Sequence, residues 1–212
     1  MKKRLSKSLI ERFSRQIILK NIGILGQKKI LLSKVLIVGV GGLGSPVAEF
    51  LTRSGIGKLG IIDYDKVSLS NLHRQSLYET SHVGKSKVQV IKKTLNRINP
   101  NTKVQTYNLK LNNNNFKKII KKYDYIVDGS DNFKTKFLLN DFCLKYRKFL
   151  VTGAISKFDG HIFTFDFKNK KLLYEFKVKK GKYSLFSMNI ENEEFKKDYP
   201  YSNEVGALLV KD

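Results

Sequence analysis

Only one cysteine, Cys143, occurs in the chain, which excludes an internal disulfide and any four-cysteine zinc site within a single copy. No stretch approaches the roughly 20 uninterrupted apolar residues needed to span a bilayer, so no membrane association is expected. No secretory leader is expected either, since the basic opening, Met1 to Ser8, runs into charged residues instead of an apolar segment. A cytoplasmic protein is the expectation. Acidic residues are scarce, 18 against 41 Lys and Arg, for a formal charge of +23. Such an excess invites a nucleic-acid partner, because clustered cations displace the counterions of phosphates. Here the lysines are spread over the whole length and accompany low-complexity stretches such as Asn112-Asn113-Asn114-Asn115. That is a compositional bias towards Lys and Asn, and no nucleic-acid partner is expected. A basic surface still favours the approach of acidic proteins.

With 212 residues the chain can build one α/β domain with a core, and no internal repeat divides it. Apolar residues from Leu9 to Ile22 recur at helical spacing and predict an amphipathic N-terminal helix or arm over about residues 1–30. The core then alternates strands and helices. Val35 to Val38 and Leu59 to Ile62 are short apolar runs of the kind buried on both faces of a parallel sheet. Val104 to Tyr107, Tyr125 to Val127 and Phe149 to Val151 are further strands. Helices are predicted over Leu43–Ser54, closed by Gly55, over Gly84–Ile98, over Phe116–Lys122 and over Lys134–Tyr146. This alternation predicts a doubly wound, mainly parallel, Rossmann-like sheet with helices on both faces across about residues 31–160. From Gly160 the pattern Ile162, Phe163, Phe165, Phe167 suits antiparallel strands, and beyond Lys168 the periodicity fades.

Gly39-Val40-Gly41-Gly42-Leu43-Gly44 fits G-x-G-x-x-G between a buried strand and a helix. Glycines allow a tight turn and close approach of phosphate oxygens, and the helix N-terminus supplies free amides and a favourable dipole. Asp63 ends the next strand about 20 residues on, where a carboxylate accepts hydrogen bonds from ribose hydroxyls. The turn alone does not say which nucleotide is bound, and its default is NAD or FAD. The loop that follows carries Asp65, Ser68, Ser70, Asn71, His73, Arg74 and Gln75, with Lys87 beyond it. Two cations near phosphates suit adenylyl or phosphoryl transfer better than hydride transfer, because negative charge develops there in the former.

Five segments occur together in the order of a known family: Arg12 to Leu19, the glycine turn, Asp63 to Gln75, Val83 to Lys87, and Asp128-Gly129-Ser130-Asp131-Asn132. Over about residues 10–160 the chain resembles the ThiF/MoeB/HesA family, the bacterial relatives of ubiquitin-activating enzymes. The resemblance implies a single ThiF-type domain that adenylates the C-terminal glycine of a ubiquitin-like sulfur-carrier protein ending in Gly-Gly, in molybdopterin or thiamine synthesis. It implies ATP with Mg²⁺ as cofactors and a homodimer. Residue by residue, Gly42 would approach the phosphates and Asp63 would hold the ribose. Asn71, Arg74 and Lys87 would bind the triphosphate, Asp131 would hold Mg²⁺, and Arg15 would reach into the partner subunit's site. Gly39, Gly41, Gly44, Asp65, Ser70, Ser130 and Asn132 complete the expected nucleotide-binding set.

The pattern departs from the family towards the C-terminus, where relatives commonly carry two Cys-x-x-Cys pairs. The first pair's place reads Lys171-Leu172-Leu173-Tyr174-Glu175-Phe176, and the later glycine segment survives as Glu204 to Leu209. A shortened extension over about residues 161–212, without zinc and without covalent thiol chemistry, is therefore expected. Cys143 is expected to act as a small buried apolar residue. The histidines show no metal-ligand spacing; only His73 falls in the proposed site, and His82 reads as a loop or cap residue. An active adenylyltransferase is the favoured reading. A catalytically idle nucleotide-binding or dimerisation module and an NAD-dependent oxidoreductase are the alternatives.

Overall fold

The structure, a computed structural model, describes residues 4–157, 159–179 and 182–189. Its first strand, β1 (Lys34–Val38), lies between β2 (Lys58–Ile62) and β4 (Tyr125–Asp128), parallel to both. β3 (Lys103–Tyr107) extends the parallel sheet beyond β2, and β5 (Phe149–Ser156) extends it beyond β4. Antiparallel strands β6 (Asp159–Asp166), β7 (Lys171–Lys179) and β8 (Lys182–Asn189) continue from β5. The eight described strands thus form one sheet in the order β3-β2-β1-β4-β5-β6-β7-β8. The doubly wound, mainly parallel expectation holds, with an antiparallel extension at one side.

Side chains alternate across each strand, so the apolar runs supply two cores. Leu36, Val38 and Ile62 pack with Phe116, Ile120, Leu139 and Cys143 of the helices α6 (Asn113–Ile120) and α7 (Phe133–Lys145). Val35, Ile37, Leu59 and Ile61 pack on the other face with Ala48 of α4 (Gly44–Arg53) and Val88, Ile91 and Leu95 of α5 (Lys87–Ile98). Each such side chain, fully removed from water, stabilises the fold by about 1.5–3 kcal/mol. Phe163, Phe165 and Phe167 stack at 6.0 and 5.5 Å between ring centroids and join the first core, the packing role expected of them.

The N-terminal segment is the helical arm expected over about residues 1–30, divided into short helices. It folds as α1 (Lys7–Arg12), α2 (Ser14–Ile17) and α3 (Gly23–Leu32). Phe13 leaves helical geometry between the first two and turns its ring onto Gly55, where any Cβ would strike it. Gly55 has φ +89° and ends α4, so the buried Phe13 ring anchors the arm at that helix terminus. Gln16 and Gln27 both donate to the Ser54 carbonyl, at 3.1 and 3.0 Å, and satisfy an acceptor that the helix end leaves open.

Two further helices begin elsewhere than the periodicity indicates. α5 starts at Lys87 instead of Gly84, because Gly84 has φ +82° and the Val67 amide bonds the Lys85 carbonyl at 2.9 Å, holding the intervening residues outside the helix. α6 spans Asn113–Ile120 and not Phe116–Lys122. The Asn112 side chain accepts from the amides of Asn114 and Asn115 while Asn115 accepts from the Asn112 amide. The asparagine run read as low complexity is a reciprocal helix cap. β7 and β8 occupy the stretch past Lys168 that periodicity left unassigned, whereas Glu204 to Leu209 lies outside the described residues.

Candidate active site

Strand order reverses at β1: the chain moves outward through β2 and β3, then returns to the other side of β1 as β4. In open α/β sheets a crevice opens at such a point, beyond the carboxyl ends of the strands. Two loops meet there. Gly39, with φ +83°, follows β1, and a Cβ on it would stand 2.8 Å from the Gly129 carbonyl oxygen after β4. A Cβ on Gly44 would overlap the Gly39 carbonyl. These glycines let the turn, the neighbouring loop and the start of α4 close on one another.

Asp63 fixes the turn from the side. Its Oδ2 accepts from the Val40 amide at 2.9 Å and its Oδ1 from the Asp65 amide at 2.8 Å. The Tyr78 hydroxyl donates to the Val40 carbonyl at 3.0 Å. Burial, with a smaller contribution from Asp63 and Asp65, pushes the Tyr78 phenol far up from its ordinary value, so it stays a neutral donor. Asp63 is thus a structural brace whose carboxylate still has unused lone pairs for a ligand.

A cleft of about 1220 Å³ opens over this turn. Of the residues expected in the site, Gly39, Gly41, Gly42, Asp63, Asp65, Asn71, Arg74, Lys87, Ser130, Asp131 and Asn132 all line it. Gly44, Ser70 and Arg15 do not. Gly44 sits buried behind the turn, where it closes the loops. Ser70 contributes through its carbonyl, which accepts from Arg74 Nη1 at 3.1 Å. Arg15 is exposed on α2, away from the lining of its own chain's cleft. Asn132 has a second task, since its side chain caps α7 by accepting from the Thr135 amide at 2.9 Å.

Two cations share the cleft with the glycine turn. The aliphatic stem of Arg74 passes close to Gly42, within 3.4 Å of where a Cβ would be. Lys87 is 5 % exposed, and its ammonium pairs with Asp65 at 3.2 Å, a carboxylate that is itself half in solvent. A buried cation at the first turn of a helix opposes the helix dipole. Its position on the cleft wall is suited to a bound anion, which would compensate it. His73 bonds Arg74 Nη1 at 2.8 Å but lies outside the cleft lining, whereas His161 on β6 is part of it, reversing the expectation for these two histidines. His82 caps the turn at Glu79, whose amide it accepts at 3.0 Å, as expected.

One element of the site escaped the sequence reading. Asp128, 2 % exposed at the end of β4, accepts from Lys136 Nζ at 3.0 Å and Thr152 Oγ1 at 2.7 Å through one oxygen. Its other oxygen accepts from the Ser130 amide and hydroxyl, at 2.9 and 2.6 Å. Lys136 also donates to the Gly153 carbonyl at 2.7 Å. This network ties β4, α7 and β5 beneath the loop that presents Ser130 and Asp131. The available signal was the repetition of an aspartate at a strand end, Asp63 after β2 and Asp128 in β4. Among the described residues no group of three or more His, Cys, Asp or Glu side chains is placed to hold a metal, and no helix is long and apolar enough to cross a membrane.

A glycine turn at the switch point of a doubly wound sheet, sharing its cleft with an arginine and a buried lysine, defines an α/β nucleotide-binding domain. The chain belongs to the ThiF family, whose profile matches residues 13–197. It is 41 % identical over 198 residues to a probable molybdopterin-synthase adenylyltransferase of Porphyra purpurea, covering 93 % of this chain and 49 % of that one. It is 43 % identical over 162 residues to the sulfur carrier protein adenylyltransferase of Thermus thermophilus, covering 76 % of this chain and 60 % of the relative. The chain therefore spans about half to three-fifths of the length of these relatives. Its fold also matches a crystal structure of Escherichia coli MccB with AMPCPP and MccA, at 27 % identity and TM-score 0.68, over 76 % of this chain and 50 % of that one.

Proposed function

We propose that this chain is an ATP-dependent adenylyltransferase that activates the C-terminal glycine of a ubiquitin-like sulfur-carrier protein ending in Gly-Gly. The observation that carries the reading is that Arg74, Lys87 and Asp131 line one cleft together with Gly39, Gly41 and Gly42 of the glycine turn. The names of the relatives from Porphyra and Thermus support the reaction, and the first of them favours a carrier of molybdopterin synthesis over one of thiamine synthesis. The ATP supply of the cytoplasm makes that compartment the proposed location.

In this reaction a terminal carboxylate attacks the α-phosphorus of ATP, a bond forms between carboxyl oxygen and phosphorus, and the bond to the β-phosphate oxygen breaks. The products are an acyl-adenylate and pyrophosphate. A carboxylate is already a nucleophile, so no general base is required. The protein's task is positioning and neutralisation. The amides of the glycine turn hold phosphate oxygens, Asp63 directs its remaining lone pairs to the ribose, and Asn71, Arg74 and Lys87 gather the leaving pyrophosphate. Asp131 fits Mg²⁺: it is an exposed carboxylate in the cleft lining, and Mg²⁺ is commonly held by one or two carboxylates, the rest of its shell being phosphate oxygens and water. Bound there, the ion would supply charge neutralisation.

Arg15 acts, in this reading, in the cleft of a second copy. Its exposure on α2, remote from its own cleft, is compatible with that role. Nearby Ile18 and Leu25 expose 70 and 73 % of their surface, the apolar area a homodimer interface would cover.

The test is exchange of labelled pyrophosphate into ATP in the presence of carrier proteins ending in Gly-Gly. Carrier-dependent exchange is expected. ATP binding without exchange with any such carrier would leave the chain as an idle nucleotide-binding module, and tight NAD binding without ATP binding would make it a dinucleotide protein.

A further inference from the structure

Gln75 follows Arg74 on the cleft wall and is 3 % exposed. Its main chain is engaged in the turn: the amide donates to the Asn71 carbonyl at 3.1 Å, and the carbonyl accepts from the Tyr78 amide at 3.2 Å. Its side chain bonds nothing. Oε1 is buried with no hydrogen-bond partner, while Nε2 lies 3.6 Å from where a Cβ would stand on Gly41. A carboxamide oxygen shut away from water without a partner is destabilising, and an apolar side chain of the same length would fill the space without that penalty. Thr52, Ser86 and Asn140 also hold unpartnered buried oxygens among the described residues, but none of the three lines the cleft.

We propose that the Gln75 carboxamide is a phosphate-binding group of the nucleotide site, an inference that rests on the ATP reading above. Its N–H donates to a non-bridging phosphate oxygen seated over Gly41 and Gly42. Water carried in with the phosphates serves the carbonyl end, and a half-turn of the amide can exchange the two ends. The group complements Arg74 and Lys87. Those two supply charge, which acts at a distance and tolerates displacement, whereas a neutral amide donor rewards one position of the phosphate chain.

The deciding variants are Gln75→Met, which keeps length and volume without polar atoms, and Gln75→Glu, which keeps the shape and replaces the donor with a second oxygen. Binding of ATP and of adenosine is measured by calorimetry, alongside the melting temperature of the ligand-free protein. For Gln75→Met the melting temperature is expected to hold or rise, ATP affinity to fall about tenfold or more, and adenosine affinity to stay unchanged. Gln75→Glu is expected to bind ATP more weakly still, because its carboxylate repels the phosphates. ATP affinity within about twofold of the unmodified protein in a folded Gln75→Met variant would overturn the proposal, as would equal losses for ATP and adenosine. Failure of the unmodified chain to bind ATP at all would overturn the underlying reading along with it.

Discussion

Asp63 Oδ2 accepts the Val40 amide at 2.9 Å, so the carboxylate at the end of β2 grips the glycine turn after β1 from the neighbouring strand. The second oxygen is equally committed, to the Asp65 amide. Both backbone donors need an acceptor, and a carboxylate offers two where a carboxamide offers one. Asp63→Asn is therefore expected to behave almost as badly as Asp63→Ala. Each should lose about 1–3 kcal/mol of stability in urea unfolding, together with nucleotide affinity. An Asp63→Asn protein of unmodified stability would show that one of these two bonds is not made in solution.

Arg74 presents the opposite case. It is exposed, and its guanidinium bonds the Ser70 carbonyl and His73, both in the same exposed loop. Arg74→Ala should change folding stability by no more than about 0.5 kcal/mol while lowering pyrophosphate exchange about 10²–10³-fold. Exchange near the unmodified rate would remove Arg74 from the phosphate site.

The contrast between these residues shows what the sequence could reveal. Spacing points to Asp63 at a strand end about 20 residues past the glycine turn, whereas Arg74 and Lys87 stand out from the other cations through the resemblance to the ThiF family. It could not reveal that Asp63 spends both oxygens on the backbone, since that depends on a contact 23 residues distant. Lys136 was passed over for a related reason: one lysine among 41 cations carries no mark until α7 turns it onto Asp128. α3 falls within the expected helical arm, but its own bounds are not legible because Ile24, Leu25, Ile30, Leu31 and Leu32 surround the helix instead of forming a stripe.

Lys136 supports a prediction of its own. Removing the cation leaves the Asp128 carboxylate, 2 % exposed, without its charge partner. Lys136→Ala is expected to destabilise the fold by about 3–5 kcal/mol, the range for a broken buried ion pair. Adding Asp128→Asn to that variant should recover part of the loss, giving a coupling of about 0.5–3 kcal/mol in a double-mutant cycle. Strict additivity of the two substitutions would mean that the pair does not form.

Gly44 tests the geometry of the turn without touching charge. A Cβ there would run into the Gly39 carbonyl, a main-chain atom that cannot swing aside. Gly44→Ala should displace the turn from the Gly129 loop and weaken nucleotide binding at least tenfold, a shift that titration calorimetry resolves. Gly84→Ala makes the control. Gly84 also has positive φ, +82°, but open space surrounds its Cβ position, so strain without collision should destabilise the loop by about 1–2 kcal/mol and leave binding intact. Equal binding losses in the two variants would mean that backbone strain, and not the contact between Gly39 and Gly44, governs the site.

Cys143 gives a prediction with a defined pH sign. The thiol is fully buried in the core beside α6, and burial, reinforced by the negative charge of Asp128, pushes it far above its ordinary value; Lys148 opposes this weakly. In the unfolded chain the same thiol ionises near its ordinary value, about 8.5. Below that pH both states keep the proton and the group leaves stability unchanged with pH. Above it the unfolded state releases the proton while the folded state holds it, so stability falls as pH rises. Tyr78 and Tyr123, both pushed upward chiefly by burial, add the same slope at higher pH, where unfolded phenols ionise. Between pH 8 and pH 10 the unfolding free energy of the unmodified protein should decline by about 1.4 kcal/mol per pH unit and per thiol once the unfolded thiol is ionised, and Cys143→Ala should remove that component while lowering stability at every pH. A thiol reagent at pH 8 should label Cys143 only at the rate of unfolding. Rapid labelling of the folded protein, or an unchanged alkaline slope in Cys143→Ala, would show that the core around α6 and α7 admits solvent.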